Sequence, residues 1–301
     1  MFQRPMTLLE FQAKFPTDDA CRNHLFSLRF PDGFRCPRCG HDRFYVIRSR
    51  HLLQCQSSAC RHQTSLTVGT IFEKSRTPLR KWFSAIFLAS HDKRGISALT
   101  LAREIDVTYK TAWAMLHKIR HAMRTREQSY KLGGIVEVDE TYVGGPGENP
   151  KPGRGTNKTP TLVALSLSPD GKPGYLRMQA VENVKGETIA AFLNQHVEKE
   201  AIIVSDGFPS YAPVAQDRPV LAMKFDPKNN PDHMKWLHRA VSNAKTFLLG
   251  TYHGIKGKHL QAYLSEYTYR YNRRHFQGEW FNRLLQASIS ASPITVAELT
   301  G

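Results

Sequence analysis

Ile135-Val136-Glu137-Val138-Asp139 is a β-type run that ends on a carboxylate, and Ala201-Ile202-Ile203-Val204-Ser205-Asp206 repeats the pattern further along. β-Branched side chains suit strands. A carboxylate at the end of a buried strand is costly unless a cation meets it. Two such strands in one sheet predict a pair of acids able to share divalent metal ions, the equipment for phosphoryl transfer on a nucleic-acid backbone. Asp139 and Asp206 are the first candidate catalytic and metal-binding residues. Glu137 lies on the same strand face as Asp139 and is an alternative inner carboxylate, whereas Glu140 is expected to point away.

Around these acids the chain reads as strand, loop, strand, strand, helix, strand, helix. Residues 161–167 and 174–181 predict strands around the turn Pro169-Asp170-Gly171. Residues 187–197 predict a helix with Ile189, Phe192, Leu193 and Val197 inward, and a long helix is expected over 258–274. The loop 144–157 is dense in Gly, Pro and Lys/Arg and is expected to be mobile. Two carboxylates need a third ligand from a later helix. The segment after Asp206 offers His238, Ser242, Asn243 and Lys245. Asn243 can bind a hard cation through its amide oxygen, and Lys245 can offset charge on a phosphate. Glu266 is an acidic alternative, or one half of an i,i+4 pair with Arg270.

The net charge is +16, which points to a polyanionic partner. Residues 1–130 carry 22 Lys/Arg against 10 Asp/Glu, so the N-terminal part is the stronger candidate for phosphate contacts. Residues 1–30 read as a helical leader with Phe11, Phe15, Cys21, Leu25 and Leu28 at helical spacing. Cys36 and Cys39 form a CxxC; fifteen residues separate it from Cys55, and Cys60 follows after four more. Two such knuckles predict a tetrahedral Zn²⁺ cage, structural because four protein ligands leave no open position. His41, His51 and His62 are lesser alternatives. Residues 98–120 fit a helix-turn-helix, with Leu101, Ile105, Val107, Ala112 and Met115 packing two helices and Asp106 where a turn glycine is expected. Its second helix would present Tyr109, Lys110, Lys118 and Arg120 to DNA. No apolar run is long enough to span a membrane, and the N-terminus lacks a signal-peptide stretch.

These motifs resemble zinc-ribbon insertion-sequence transposases of the ISXO type, relatives of the Merlin group. The resemblance rests on residues 34–40 around Cys36-Pro37-Arg38-Cys39-Gly40, on Val138-Asp139-Glu140-Thr141-Tyr142, and on Ser205-Asp206-Gly207. It continues through His238-Arg239-Ala240-Val241-Ser242-Asn243-Ala244-Lys245, Gly250-Thr251-Tyr252-His253-Gly254 and Tyr271-Asn272-Arg273-Arg274. It implies an RNase H-like catalytic domain in which Asp139 and Asp206 are the first two acids, Asn243 takes the third position and Lys245 is the accompanying base.

The expectation is a multidomain chain: a helical leader (1–30), a zinc ribbon (31–70), a helix-turn-helix region (76–127) and an α/β RNase H-like domain with a mixed sheet (134–290). Its expected role is that of a bacterial cytoplasmic DNA transposase using structural Zn²⁺ and catalytic Mg²⁺ or Mn²⁺. It would act on double-stranded DNA as a homo-oligomer. The rival reading is a zinc-dependent DNA-binding regulator with an inactive nuclease-like domain; a resolvase or RNase H-type nuclease is the third.

Overall fold

The computed structural model describes residues 4–144, 158–211, 214–223, 226 and 228–300. The loop expected to be mobile lies outside these residues, apart from Gly144. The chain forms two compact units, one of residues 1–92, 96–123 and 276–301, the other of residues 93–95 and 124–275.

The first unit opens with α1 (Leu8–Lys14) and α2 (Asp18–Arg29). Thr7 caps α1 in a capping box with Glu10, and the Thr17 side chain accepts the Ala20 N–H at the start of α2. Pro16 stands between them, so the expected helical leader is divided into two helices. Strands β1 (Phe44–Ile47), β2 (Leu52–Cys55) and β3 (Gln63–Ser65) make an antiparallel ribbon. Helix α3 (Leu79–His91) starts after Pro78, followed by α4 (Ala98–Glu104) and α5 (Tyr109–Glu127).

The second unit is built on β4 (Ile135–Val143), β5 (Thr159–Leu167), β6 (Pro173–Ala180), α6 (Gly186–His196), β7 (Ile202–Ser205), β8 (Val220–Ala222), α7 (Lys235–Thr251) and α8 (Gly257–Asn272). The sheet order is β6-β5-β4-β7-β8. β4, β5 and β6 form an antiparallel meander, while β7 and β8 run parallel to β4. This is the mixed sheet of the RNase H-like fold. Alternation along the strands divides the core. Val136, Val138, Leu162, Ala164 and Ile203 pack with Ile189, Phe192 and Leu193 of α6. Val143, Val163, Leu165, Leu176 and Met178 pack with Leu237, Ala244 and Phe247 of α7 and with Leu260 and Leu264 of α8.

The C-terminal helices α9 (Trp280–Ser290) and α10 (Val296–Thr300) group with the first unit. There Phe281 of α9 lies 5.5 Å from the rings of Phe11 and Phe15, and Phe11 stacks on Phe87 at 4.5 Å. The second unit thus ends at His275, short of the boundary at 290 expected for the catalytic segment.

Candidate active site

The parallel pairing of β4 with β7 sets Glu137 opposite Val204. Two residues beyond these positions come Asp139, still within β4, and Asp206, the first residue past β7. β7 stops at Ser205, and Gly207 turns the chain at φ +78°, a left-handed conformation that glycine adopts without strain. The Phe208 N–H donates to Asp206 Oδ1 at 3.0 Å, fixing the second carboxylate at the strand end. Asp139 Oδ1 accepts the Glu140 N–H at 2.8 Å, and its Oδ2 lies 3.5 Å from His238 Nε2. Burial raises the Asp139 carboxyl above its ordinary range; Glu140 and Asp206 push the same way, against the Glu140 N–H and His238. Burial is the chief cost of an ionised Asp139, one that a divalent cation would offset.

Helix α7 covers this face of the sheet. Its His238, Val241, Ser242, Lys245, Thr246 and Leu249 line an open cavity of about 430 Å³ with Asp139, Glu140 and Thr141. These positions recur every three or four residues, one face of a helix. Lys245 also borders a neighbouring cavity of about 500 Å³ whose lining includes Tyr142, Lys158, Tyr252 and His253. Burial and the nearby Lys158 hold the Lys245 ammonium below its ordinary pKa.

Asn243 is exposed and is not among the residues lining the Asp139 cavity. At about 100° per residue it stands roughly 140° around the helix from His238, so its amide oxygen turns away from Asp139. Of the expected site residues, Asp139 and Lys245 line this cavity, and Asp206 and Asn243 do not. Glu266 is 3% exposed and accepts from Arg270 Nη2 at 2.7 Å and from the Tyr252 hydroxyl at 3.0 Å. It makes the i,i+4 pair. Glu140 lines the cavity, although alternation alone sends it to the other face.

The four cysteines converge as their spacing predicts. The Sγ atoms of Cys36, Cys39, Cys55 and Cys60 all lie within 4.8 Å of one another. Cys36 and Cys60 are 3.8 Å apart, Cys39 and Cys55 3.6 Å. Thiolates about 2.3 Å from a tetrahedral zinc sit roughly 3.8 Å from each other, so the donor set fits Zn²⁺. His41 and His62 serve instead through their backbone carbonyls, which accept the Cys36 and Cys55 N–H groups at 2.9 Å each.

The turn between α4 and α5 forms without a glycine. Asp106 takes φ +49° itself, and the Val107 N–H returns to the Ala102 carbonyl at 3.0 Å. The Thr108 hydroxyl accepts the Thr111 N–H at 3.2 Å and caps α5. Tyr109 is 56% exposed and Lys110 is exposed as well. Lys118 is half-buried, with its Nζ 3.4 Å from the Ile71 carbonyl. Arg120 is 2% exposed and points into the protein, so it is not available to DNA in this conformation. The α5 face that reads as basic in sequence is thus split between surface and interior.

Residues 131–272 match the model of the ISXO2-like transposase domain, and residues 16–63 match that of the transposase zinc-ribbon domain. A protein of the transposable element ISH50 from Halobacterium salinarum is 27% identical over 220 residues, covering 67% of this chain and 72% of that protein. Among solved structures, the Mos1 mariner paired-end complex with Mn is similar at TM-score 0.29 and 12% identity, over 73% of this chain and 89% of that one. A pre-cleavage Mos1 transpososome gives TM-score 0.30 and 12% identity, over 67% and 76%. The two matches follow one another in the order of the ribbon and the mixed sheet: the chain carries a segment like the transposase zinc ribbon and, behind it, one like the ISXO2-like transposase domain.

Proposed function

We propose that the chain binds the terminal inverted repeats of a mobile element and catalyses metal-dependent DNA strand cleavage and strand transfer. The observation that carries this reading is the parallel β4–β7 pairing, which ends with Glu137 opposite Val204, two residues short of Asp139 and Asp206. Asp139 and Asp206 would hold Mg²⁺ or Mn²⁺. When bound, such ions polarise the scissile phosphate and favour attack by water or by a DNA 3′-hydroxyl. Lys245 faces the same cavity and offsets charge on the phosphoryl oxygens as they reach the transition state. The adjoining cavity offers the cations of Lys158 and Lys245 for the backbone and the half-buried ring of Tyr142 for base stacking.

The zinc ribbon and the helix-turn-helix would grip the element ends, with Tyr109 and Lys110 as the exposed contacts. Two ends must be held together for transposition, so the working form is a homo-oligomer on DNA. The test is Asp206→Asn on a labelled terminal-repeat duplex. Strand cleavage is expected to fall by at least about a thousandfold while retention of the duplex stays as in the unmodified protein. Full cleavage by the variant ends the catalytic assignment. If the unmodified protein binds the duplex but leaves it intact with Mg²⁺ and Mn²⁺, the DNA-binding regulator takes its place.

A further inference from the structure

We infer that His238, not Asn243, supplies the third side chain of the metal site, and that the site therefore favours Mn²⁺ over Mg²⁺. The inference rests on the reading of Asp139 and Asp206 as the metal-holding acids.

Its first support is helix phase. His238 stands at the start of the α7 face that lines the Asp139 cavity, two turns ahead of Lys245 on that face. Its Nε2 lies 3.5 Å from Asp139 Oδ2, close enough for one ion to bond both with little movement. The side chain is 55% exposed and can turn toward an incoming ion. The phase is set where the helix begins. Met234 takes φ +50° ahead of α7, and its carbonyl accepts the His238 N–H at 3.0 Å. Asn243 could reach the acids only if α7 turned through more than a third of a revolution, which would pull Leu237, Ala244 and Phe247 out of the core.

A second support comes from Glu137. It shares the Asp139 face of β4, is 7% exposed, and its Oε2 is buried with no hydrogen-bond partner. His233, whose buried Nε2 also lacks a partner, feels both His238 and Asp206. Acids and imidazoles thus converge on one small region.

The metal preference follows from the donor atoms. Two carboxylates with an amide oxygen make an all-oxygen set suited to Mg²⁺. Replacing the amide by an imidazole nitrogen adds a softer donor, which Mg²⁺ accepts poorly and Mn²⁺ accepts well.

The experiment uses zinc-loaded full-length protein, with Mn²⁺ alone and Mg²⁺ alone as probes. Free Mn²⁺ is followed by electron paramagnetic resonance, and Mg²⁺ by competition. Unmodified protein is expected to bind Mn²⁺ at least about tenfold more tightly than Mg²⁺. His238→Ala should weaken Mn²⁺ binding by about tenfold or more, and Asn243→Ala should leave it unchanged. His238→Glu should restore divalent binding with the Mn²⁺ preference largely lost. Zinc content and thermal midpoint, unchanged across the set, show that each variant folds. Wild-type Mn²⁺ binding by His238→Ala, or its loss in Asn243→Ala, overturns the inference while leaving the two acids in place. Wild-type binding by Asp139→Asn removes the acids themselves, and with them both this inference and the catalytic reading.

Discussion

At the scale of single residues, burial decides which ionisable groups act and which hold the fold. His196 is an example of the second kind. It is 8% exposed, its Nε2 is 2.8 Å from Gln179 Oε1, and burial with nearby Arg177, Arg124 and Lys131 pushes its pKa down to about 4. The unfolded chain takes up this proton near 6.5, the folded chain not until about 4. Unfolding therefore binds a proton between these values, and stability falls as pH drops from 6.5 toward 4. The loss is up to about 3 kcal/mol. Denaturant titrations over this range should show the slope, and His196→Gln should flatten it; an unchanged slope in that variant would remove the assignment. Residue chemistry was partly legible in sequence. Asp206 stands just past a strand end that its β-branched run makes readable, whereas Asp139, expected to end its strand, lies in the middle of β4, which continues through Glu140-Thr141-Tyr142 to Val143. Which α7 side chain faces Asp139 was not readable, because choosing between His238 and Asn243 needs the phase of α7, and that depends on a left-handed Met234 no sequence pattern marks. The seven-residue spacing from His238 to Lys245 was the available clue.

Among elements, α8 explains why the C-terminal motif is so rich in polar groups. β6 lies at one edge of the sheet, where unpaired backbone groups invite association. Asn272 accepts the Leu176 N–H at 2.7 Å and donates to the Leu176 carbonyl at 3.0 Å. Three turns earlier, Gln261 accepts the Ala180 N–H at 2.9 Å and donates to the Met178 carbonyl at 3.2 Å. Two side-chain amides thus pair with the strand as a neighbouring strand would. Beneath them Glu127, 4% exposed, is held by Arg177, Arg273, the Tyr130 hydroxyl and Asn272. Glu127→Ala strands two buried guanidinium groups and should cost about 3–5 kcal/mol in a chemical-denaturation measurement; a cost below about 1 kcal/mol would show that the cluster is not load-sharing. The ribbon depends on metal in the same local way. Cys55→Ser should lower bound zinc, measured by mass spectrometry, from one per chain toward none; full zinc content would exclude Cys55 as a ligand. Strongly patterned elements were legible to within a few residues, as α8 at Gly257–Asn272 against an expected 258–274 shows. β8 was not, because its three residues Val220–Ala222 give no period to read. Arg120 reads as a surface base in sequence, but α5 buries one of its faces and takes Arg120 with it.

Across the whole molecule, charge is the feature that composition alone carries furthest. A net +16 predicts DNA affinity that falls steeply with salt. Lys110→Ala should weaken binding to the terminal repeat and reduce the log–log salt slope by about 1, whereas Arg120→Ala should leave the slope unchanged, since that side chain is buried. Equal effects would mean that α5 does not meet DNA as its exposed residues suggest. The functional segments read from sequence and the compact units differ at the C-terminus, because α9 answers to aromatic residues near the N-terminus, a pairing too distant in sequence for local patterns to reveal. The central claim, that Asp139 and Asp206 share metal, is tested most directly by anomalous diffraction from crystals soaked in Mn²⁺. The account predicts an anomalous peak within about 2.0–2.4 Å of a carboxylate oxygen from each residue, that is, at coordination distance. Well-ordered Asp139 and Asp206 with no such peak, or a peak held by other side chains alone, would contradict it.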